Sequence, residues 1–224
     1  MKSLILFPTI LLFFVFPSIN SISQVNLGLK SGLDISSLHF DQNDFGMMVN
    51  GFNPIASFHI GACSDIFFSE KISLLLEVLY SVKGGKNNSD FGMPSSPDDL
   101  TSRIKYLSIP VLFNYHLRNI SFEIGPEFAY EISTKNIIND QKPIIELWDA
   151  NFDIELDYGI KYHVERMNFG VRYSQGLIDI SSGLTFADSN GDPVNNPPRF
   201  LNRMVQFSVG FDLLQKNSSK KEDE

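Results

Sequence analysis

A repeated two-residue alternation of apolar and polar side chains is the feature that most restricts the fold of this chain. In the clearest run, residues 152–163, apolar or aromatic residues alternate with Asp153, Glu155, Asp157, Gly159, Lys161 and His163. A period of two places successive side chains on opposite faces of a β-strand, so each such run predicts a strand with one apolar face. Eight runs of this kind occur, at 25–35, 55–65, 72–81, 106–115, 120–131, 152–163, 167–174 and 205–213.

The connections between these runs alternate in length. Short turns are expected near 68–70, 118–119 and 165–166, and long polar loops are expected at 36–54, 84–103, 132–150 and 181–202. Membrane barrels combine short periplasmic turns with longer external loops. We therefore predict an all-β protein that forms an eight-stranded antiparallel up-and-down transmembrane β-barrel, with both termini on the periplasmic side.

The alternation alone also fits a soluble barrel that binds lipid, in which the apolar face points inward. The polar face here carries both signs of charge, including Lys30, Glu77 and Arg172, and such groups can pair inside a narrow barrel. The apolar face is rich in Phe and Tyr, as expected for contact with lipid. We therefore expect the apolar face to point outward into a membrane.

The chain divides into three parts. Residues 1–23 contain one lysine, a short apolar run and small polar residues, which predicts a secretory signal peptide cleaved after Ser23. Residues 24–214 form the predicted barrel domain, and residues 215–224 are a polar, charged C-terminal tail for which we expect disorder.

Charge and cysteine content limit the function classes. A net charge of −8 and a pI near 5.0 argue against a nucleic-acid partner. The single cysteine, Cys63, can form no internal disulfide and lacks partners for a thiolate-rich metal site. The expected environment is outer-membrane lipid, with an envelope protein as a further partner through the external loops.

Several segments along the mature chain resemble the PorT-like outer-membrane β-barrel domain family. The most specific is Tyr-Leu-Ser-Ile-Pro-Val-Leu-Phe-Asn-Tyr at 106–115, in which Ser108 replaces the family's usual acidic residue. The other segments are at 28–32, 77–85, 125–126, 172–180, 202–203 and 210–211. The resemblance implies a small integral barrel. The branch that gives the family its name is linked to secretion and gliding machinery, a role that the resemblance alone does not transfer to this chain.

A proline interrupts the fourth predicted strand. Pro110 has no N–H to donate to a sheet, and prolines in strands usually mark an edge or a bulge. Because the alternation continues cleanly on both sides of Pro110, we predict a local bulge there, on the face toward the lumen.

No residue cluster predicts a catalytic, cofactor-binding or metal site, and no cofactor is expected. His39 with Asp41 and Asp44 is interpreted as part of a solvated external loop. The acidic stripe on the inward faces of the fifth and sixth strands could attract cations, but we expect it to pair with Lys30, Lys83, Lys161 and Arg172 as a structural plug. The stripe consists of Glu123, Glu127, Glu131, Asp153, Glu155 and Asp157.

Three further motifs favour structural roles. The segment 188–192, Asp-Ser-Asn-Gly-Asp, resembles part of a calcium loop but lacks the downstream glutamate, so a turn is favoured. The segment 83–86, Lys-Gly-Gly-Lys, does not have the spacing of a phosphate-binding loop and is expected to lead the strand into its loop. Cys63 is expected to be a small buried strand residue.

These features predict a non-enzymatic outer-membrane barrel that is structural or accessory to an envelope or secretion complex. Two alternatives remain open from the sequence: a barrel enzyme acting on lipid or peptide, and a soluble periplasmic barrel that binds lipid. An eight-stranded barrel is just wide enough for side chains to fill, so a porin-like channel is not expected.

Overall fold

A computed structural model describes residues 24–41, 52–88, 99–138, 151–180 and 199–214 of the 224-residue chain. The predicted signal peptide, the C-terminal tail and the central parts of the four long connections lie outside these residues. The described residues form eight strands, named in chain order: β1 Gln24–Asp41, β2 Ile55–Phe67, β3 Ile72–Asn88, β4 Asp99–Leu117, β5 Ile120–Ile138, β6 Phe152–Val164, β7 Met167–Gly176 and β8 Arg199–Leu214.

The strands close into a barrel in which every neighbouring pair is antiparallel and β1 pairs with β8. This order confirms the predicted eight-stranded up-and-down barrel. Closure satisfies the backbone groups of every strand and leaves no open sheet edge. No helix among the described residues is long and apolar enough to cross a membrane.

The three predicted short turns lie at one end of the barrel, here called the turn end. Two of them place a non-glycine residue in the left-handed region, Arg118 with φ 55° and Glu165 with φ 53°. Two-residue hairpin connections often need a positive φ, because that conformation follows the twist of the flanking strands. The other end, here called the loop end, carries the four long connections.

The strands extend further toward the loop end than the sequence predicts. β1 continues to Asp41, and β5 continues to Ile138. The predicted loops at 36–54, 84–103, 132–150 and 181–202 therefore include paired strand residues and are shorter than expected. The alternation fades in these extensions because the outward face becomes polar, as at His39, Arg103 and Lys135, while the inward face mixes polar and apolar residues. The backbone ladder nevertheless continues.

The predicted bulge at Pro110 is absent, so that prediction is wrong. β3 and β4 pair as Leu76 with Val111 and again as Leu79 with Ser108, in the same register on both sides of the proline. The ladder is interrupted without an inserted residue, which accommodates the missing N–H. The register shift in β4 and β5 lies instead between Lys105 and Tyr106.

Gly84 explains why the segment 83–86 continues as a strand rather than turning, which corrects the sequence interpretation. Its φ is +145°, and a Cβ added there would lie 2.0 Å from the Ser102 carbonyl oxygen on β4. Glycine adopts this conformation without steric cost and allows the two backbones to approach closely.

Candidate functional site: the filled barrel interior

The middle of the barrel contains a network of five charged residues, here called the ion-pair layer. Glu77 accepts hydrogen bonds from Lys30 Nζ at 3.0 and 3.1 Å and from the Arg172 guanidinium at 2.7 and 3.1 Å. Arg172 Nε also donates to Glu123 at 2.6 Å, and Lys161 Nζ lies 2.8 Å from the same carboxylate. All five side chains are buried, and their mutual pairing offsets the large cost of removing charge from water.

A second set of charged residues lies nearer the loop end, here called the acidic layer: Lys83, Glu127, Asp153, Glu155 and Asp157. Lys83 Nζ lies 2.6 Å from Glu127 and 2.7 Å from Glu155. Asp153 accepts a hydrogen bond from Asn202 at 2.7 Å. Asp157 lies 3.6 Å from Arg172, which links the two layers. Within the acidic layer four carboxyl groups surround one ammonium group.

The acidic layer contains a group with the ligand types of a metal site. One oxygen each from Glu127, Glu155 and Asp157 lie within 4.8 Å of one another. Oxygen ligands suit hard cations such as Ca²⁺ or Mg²⁺. Lys83 already places a positive charge against two of these three carboxylates, so the protein itself supplies the cation that the cluster attracts.

The predicted pairing of the acidic stripe is confirmed for Glu123, Glu127, Glu155 and Asp157, which lie within ion-pair distance of basic residues. Two members of the stripe differ in detail, since Glu131 accepts a hydrogen bond from Thr134 and Asp153 accepts one from Asn202. Among the basic residues, Lys30 pairs with Glu77 rather than with the stripe.

A buried Asp–His pair is a feature that the sequence interpretation missed. His59 Nδ1 lies 2.7 Å from Asp34 Oδ1, and both side chains are fully enclosed. Such a pair can orient a histidine as a general base. However, His59 Nε2 and the nearby Ser57 Oγ have no hydrogen-bond partner within the described residues, so no nucleophile is joined to the pair there. The sequence signal was that Asp34 and His59 both lie on the polar faces of consecutive predicted strands, and the register places His59 opposite Gly32, two positions from Asp34.

The loop end of the interior is filled by apolar side chains, here called the apolar cluster. Phe52 and Phe200 meet edge to face, with ring centroids 6.1 Å apart. Backbone hydrogen bonds connect Phe52 to Leu38 at 3.2 Å and Ile180 to Phe200 at 3.0 Å, which holds two loop segments against the barrel. The cluster consists of Leu38, Phe52, Ile104, Tyr106, Ala129, Ile180 and Phe200.

The turn end contains a cavity of about 170 Å³. It is lined by polar residues that include Cys63, Asp65, His116, His163 and Asp212, and the ion-pair layer closes it on the inner side through Lys30, Glu77 and Lys161. His116 Nε2 lies 2.7 Å from Ser73 Oγ, and His163 Nε2 lies 2.9 Å from Ser121 Oγ. These hydrogen bonds hold both rings in place on the wall. Cys63 is half-buried there, which is more open than predicted.

The outer surface of the barrel is apolar, whereas most of its interior is lined by polar and charged side chains. Large apolar side chains are exposed all around it, among them Leu33, Phe58, Phe122, Tyr158 and Phe207. On β4 the outward apolar residues run from Leu107 to Leu117, which corresponds to ~25 Å along the barrel axis for tilted strands. That height matches the apolar band of a transmembrane barrel. The fold and its surfaces therefore define a membrane-spanning β-barrel.

The comparisons with known proteins identify the family. Residues 17–182 match the family described as "Outer membrane protein beta-barrel domain", so the chain belongs to that family and is placed in the outer membrane. The loop end is thus the external end, and the turn end is the periplasmic end. No curated protein matches the sequence.

Several solved structures resemble the barrel. Neisserial surface protein A has 6% identity, with 83% of this chain and 96% of that chain covered and a TM-score of 0.49. Ail, the attachment invasion locus protein of Yersinia pestis, has 11% identity, coverage of 84% and 97%, and a TM-score of 0.43. Outer membrane protein W of E. coli has 14% identity, coverage of 84% and 97%, and a TM-score of 0.34.

The remaining sequence candidates lie partly or wholly outside the described residues. His39 lies in β1 rather than in a loop, so that placement was wrong. Asp44, with which it was grouped, lies outside the described residues, and so does the calcium-like segment at 188–192.

Proposed function

We propose that this protein is a non-enzymatic outer-membrane barrel that serves an envelope or secretion complex as a structural or accessory component. The observation that carries the proposal is the filled interior. The ion-pair layer, the acidic layer and the apolar cluster occupy successive levels of the barrel, and each basic side chain in the two charged layers lies within ion-pair distance of a carboxylate. A barrel filled in this way offers a rigid anchor in lipid rather than a route for solutes.

Under this proposal, partner contacts are made by the external loops. Loops on a rigid scaffold commonly carry binding residues, because they vary without disturbing the fold. β4 and β5 extend beyond the ~25 Å apolar band on the external side. The external connections from β3 to β4 and from β5 to β6 therefore begin above the lipid surface, which favours contacts with a protein partner there.

Site-specific photocrosslinking tests the loop contacts. A photoreactive phenylalanine analogue replaces Phe45, Phe91 or Trp148 in the external connections, and Phe68 in the periplasmic turn is the matched control. We expect discrete protein adducts from the external positions in intact cells and none from Phe68. Adducts from Phe68 alone, or none at all, would contradict the proposal.

Electrical recording tests the filled interior. The purified full-length protein in planar lipid bilayers should give no discrete conductance steps, because side chains of the described strands fill the lumen from the ion-pair layer to the apolar cluster. Stable conductance of the wild-type protein would contradict the proposal.

The alternative of a barrel enzyme rests on the Asp34–His59 pair. The burial of both residues favours a structural role. Phospholipid and peptide hydrolysis by the purified protein should be indistinguishable from that of a His59→Ala variant. An activity that this substitution abolishes, while the variant remains folded, would favour the enzyme.

We also infer that the chain belongs to the PorT-like branch, and the segment 106–115 supports this inference.

We further infer that a signal peptide is cleaved after Ser23. Mass spectrometry of the protein from outer membranes should find a chain that begins at Gln24. A chain that retains residues 1–23 would contradict the cleavage.

A further inference from the structure

Basic side chains are gathered at outward positions near one end of the barrel. Among strand residues whose side chains the structure describes, the acidic ones occupy positions that alternate into the lumen. In the same set of residues, the charged side chains at outward positions are basic and lie toward the external end: Lys86, Arg103, Lys105, Lys135, Arg199 and Arg203. This arrangement is unexpected for a chain with a net charge of −8.

Three of these residues form one patch on β4 and β5, here called the basic patch: Arg103, Lys105 and Lys135. Arg103 and Lys135 are directly opposite one another in the β4–β5 ladder, and Lys105 follows Arg103 on the same face. Directly opposed like charges destabilise a sheet. Within the described part of the chain, none of the three has a carboxylate partner. The arrangement therefore favours an anion from outside the barrel.

A β-bulge creates the patch. Lys105 pairs with Ser133 while Tyr106 pairs with Glu131, so Ile132 is the inserted residue on β5. The insertion reverses the alternation beyond it, which turns Lys135 outward and Asn136 inward. The buried hydrogen bond from Ser102 Oγ to Asn136, at 2.9 Å, fixes this orientation.

The position of the basic patch along the membrane normal indicates which part of the membrane it contacts. Leu107 is the last outward apolar residue of β4 before the patch. At a strand rise of 3.3 Å and a tilt near 40°, Lys105 and Arg103 lie roughly 5 and 10 Å beyond it along the membrane normal. That is the depth of lipid headgroups immediately outside the hydrocarbon, on the external side.

We propose that the basic patch binds phosphate groups on the headgroups of the outer-leaflet lipid. The patch continues the lipid-facing surface of the same strands, so a lipid whose acyl chains lie against Leu107 and Tyr130 presents its headgroup to the three basic side chains. Arg binds phosphate through two parallel hydrogen bonds, and Lys adds a point charge. The contact fixes the vertical position of the barrel in the membrane.

The test measures binding of bisphosphorylated lipid A to full-length protein folded in a neutral detergent, by native mass spectrometry. The same lipid without its phosphates and inorganic pyrophosphate are the comparison ligands. The test variant is Arg103→Gln/Lys105→Gln/Lys135→Gln. The matched control, Lys71→Gln/Arg118→Gln/Arg166→Gln, makes the same charge change at exposed residues of the periplasmic turns.

We expect the test variant to bind bisphosphorylated lipid A up to roughly 100-fold more weakly, since each basic residue near an anionic lipid surface contributes about fivefold. The periplasmic control variant should bind bisphosphorylated lipid A as tightly as the wild type does. Dephosphorylated lipid A should bind weakly to the wild type, with an affinity close to that of the test variant for the phosphorylated lipid. Heat-modifiable gel migration checks folding, and Arg103→Lys/Lys135→Arg should retain binding.

Two results would overturn the proposal. One is equal binding of phosphorylated lipid by the wild type and the test variant. The other is equally tight binding of pyrophosphate, which would indicate a site for free phosphate.

Discussion

Arg172 on β7 reaches across the lumen to Glu77 on β3 and donates hydrogen bonds to both oxygens of its carboxylate, at 2.7 and 3.1 Å. The two residues are 95 positions apart in the sequence, and their strands are not neighbours in the barrel. This bidentate contact therefore ties opposite parts of the wall together, in addition to the backbone ladders. Lys30 and Glu123 extend it to β1 and β5.

Removal of one partner from this network should be costly. We expect Arg172→Met to lower the free energy of unfolding by about 3–5 kcal/mol, because it leaves Glu77 and Glu123 with buried charge that is no longer fully paired. Urea unfolding in lipid vesicles, followed by circular dichroism, measures the change. In a double-mutant cycle, Glu77→Gln should lower the free energy of unfolding less in the Arg172→Met background than in the wild type. The difference, which is the coupling energy of the two residues, should be at least ~1 kcal/mol.

A neutral hydrogen bond elsewhere in the lumen provides the control for this cycle. Ser102→Ala removes a bond to Asn136 and should add independently to Arg172→Met. Strict additivity of Arg172→Met and Glu77→Gln would show that the two residues do not act as a unit.

The apolar cluster should contribute measurably to stability although part of it comes from loops. Phe200→Ala removes a buried ring that contacts Phe52, and we expect a loss of about 3–5 kcal/mol. Phe52→Ala should lose less in the Phe200→Ala background, since the contact is already gone. Phe68, which is 59% exposed in a periplasmic turn, is the control. A Phe68→Ala loss as large as that of Phe200→Ala would contradict this account.

Gly84 should tolerate a methyl group less well than Gly170, a glycine at a lumen position of β7. In Gly84→Ala the new Cβ meets backbone at 2.0 Å and the residue must keep a φ of +145°. In Gly170→Ala the Cβ meets the Ser208 hydroxyl at 2.7 Å, which can rotate away. We expect Gly84→Ala to cost about 1–3 kcal/mol more than Gly170→Ala in urea unfolding. Equal costs would contradict the close approach of β3 and β4.

The period-two pattern was sufficient to predict the membrane part of the barrel. β6 was expected at 152–163 and is Phe152–Val164, because its alternation is strict where one face meets lipid and the other the lumen. The three turns were also located correctly. Pairing of Glu123 with Arg172 and Lys161 could be anticipated because unpaired charge inside a narrow barrel is costly.

Features that depend on a single inserted residue or on distant contacts could not be predicted. The bulge at Ile132 turns Lys135 outward, whereas uninterrupted alternation would have placed Lys135 on the lumen face, the face of Glu131. The rings of Phe52 and Phe200 are in contact although the two residues are 148 positions apart in the sequence, and no local pattern predicts that contact. The bulge predicted at Pro110 was wrong because the strand ladder accommodates the missing N–H without an inserted residue.

The central claim is that the apolar face of the barrel contacts lipid and the charged face does not. Single-tryptophan variants in a Trp148→Phe background test it directly, in vesicles whose acyl chains are brominated to quench fluorescence. Tryptophan at Phe122 or Tyr158, both outward, should be strongly quenched, whereas tryptophan at the buried lumen residue Tyr106 should retain its fluorescence. Strong quenching at Tyr106 with little at Phe122 and Tyr158 would contradict the account.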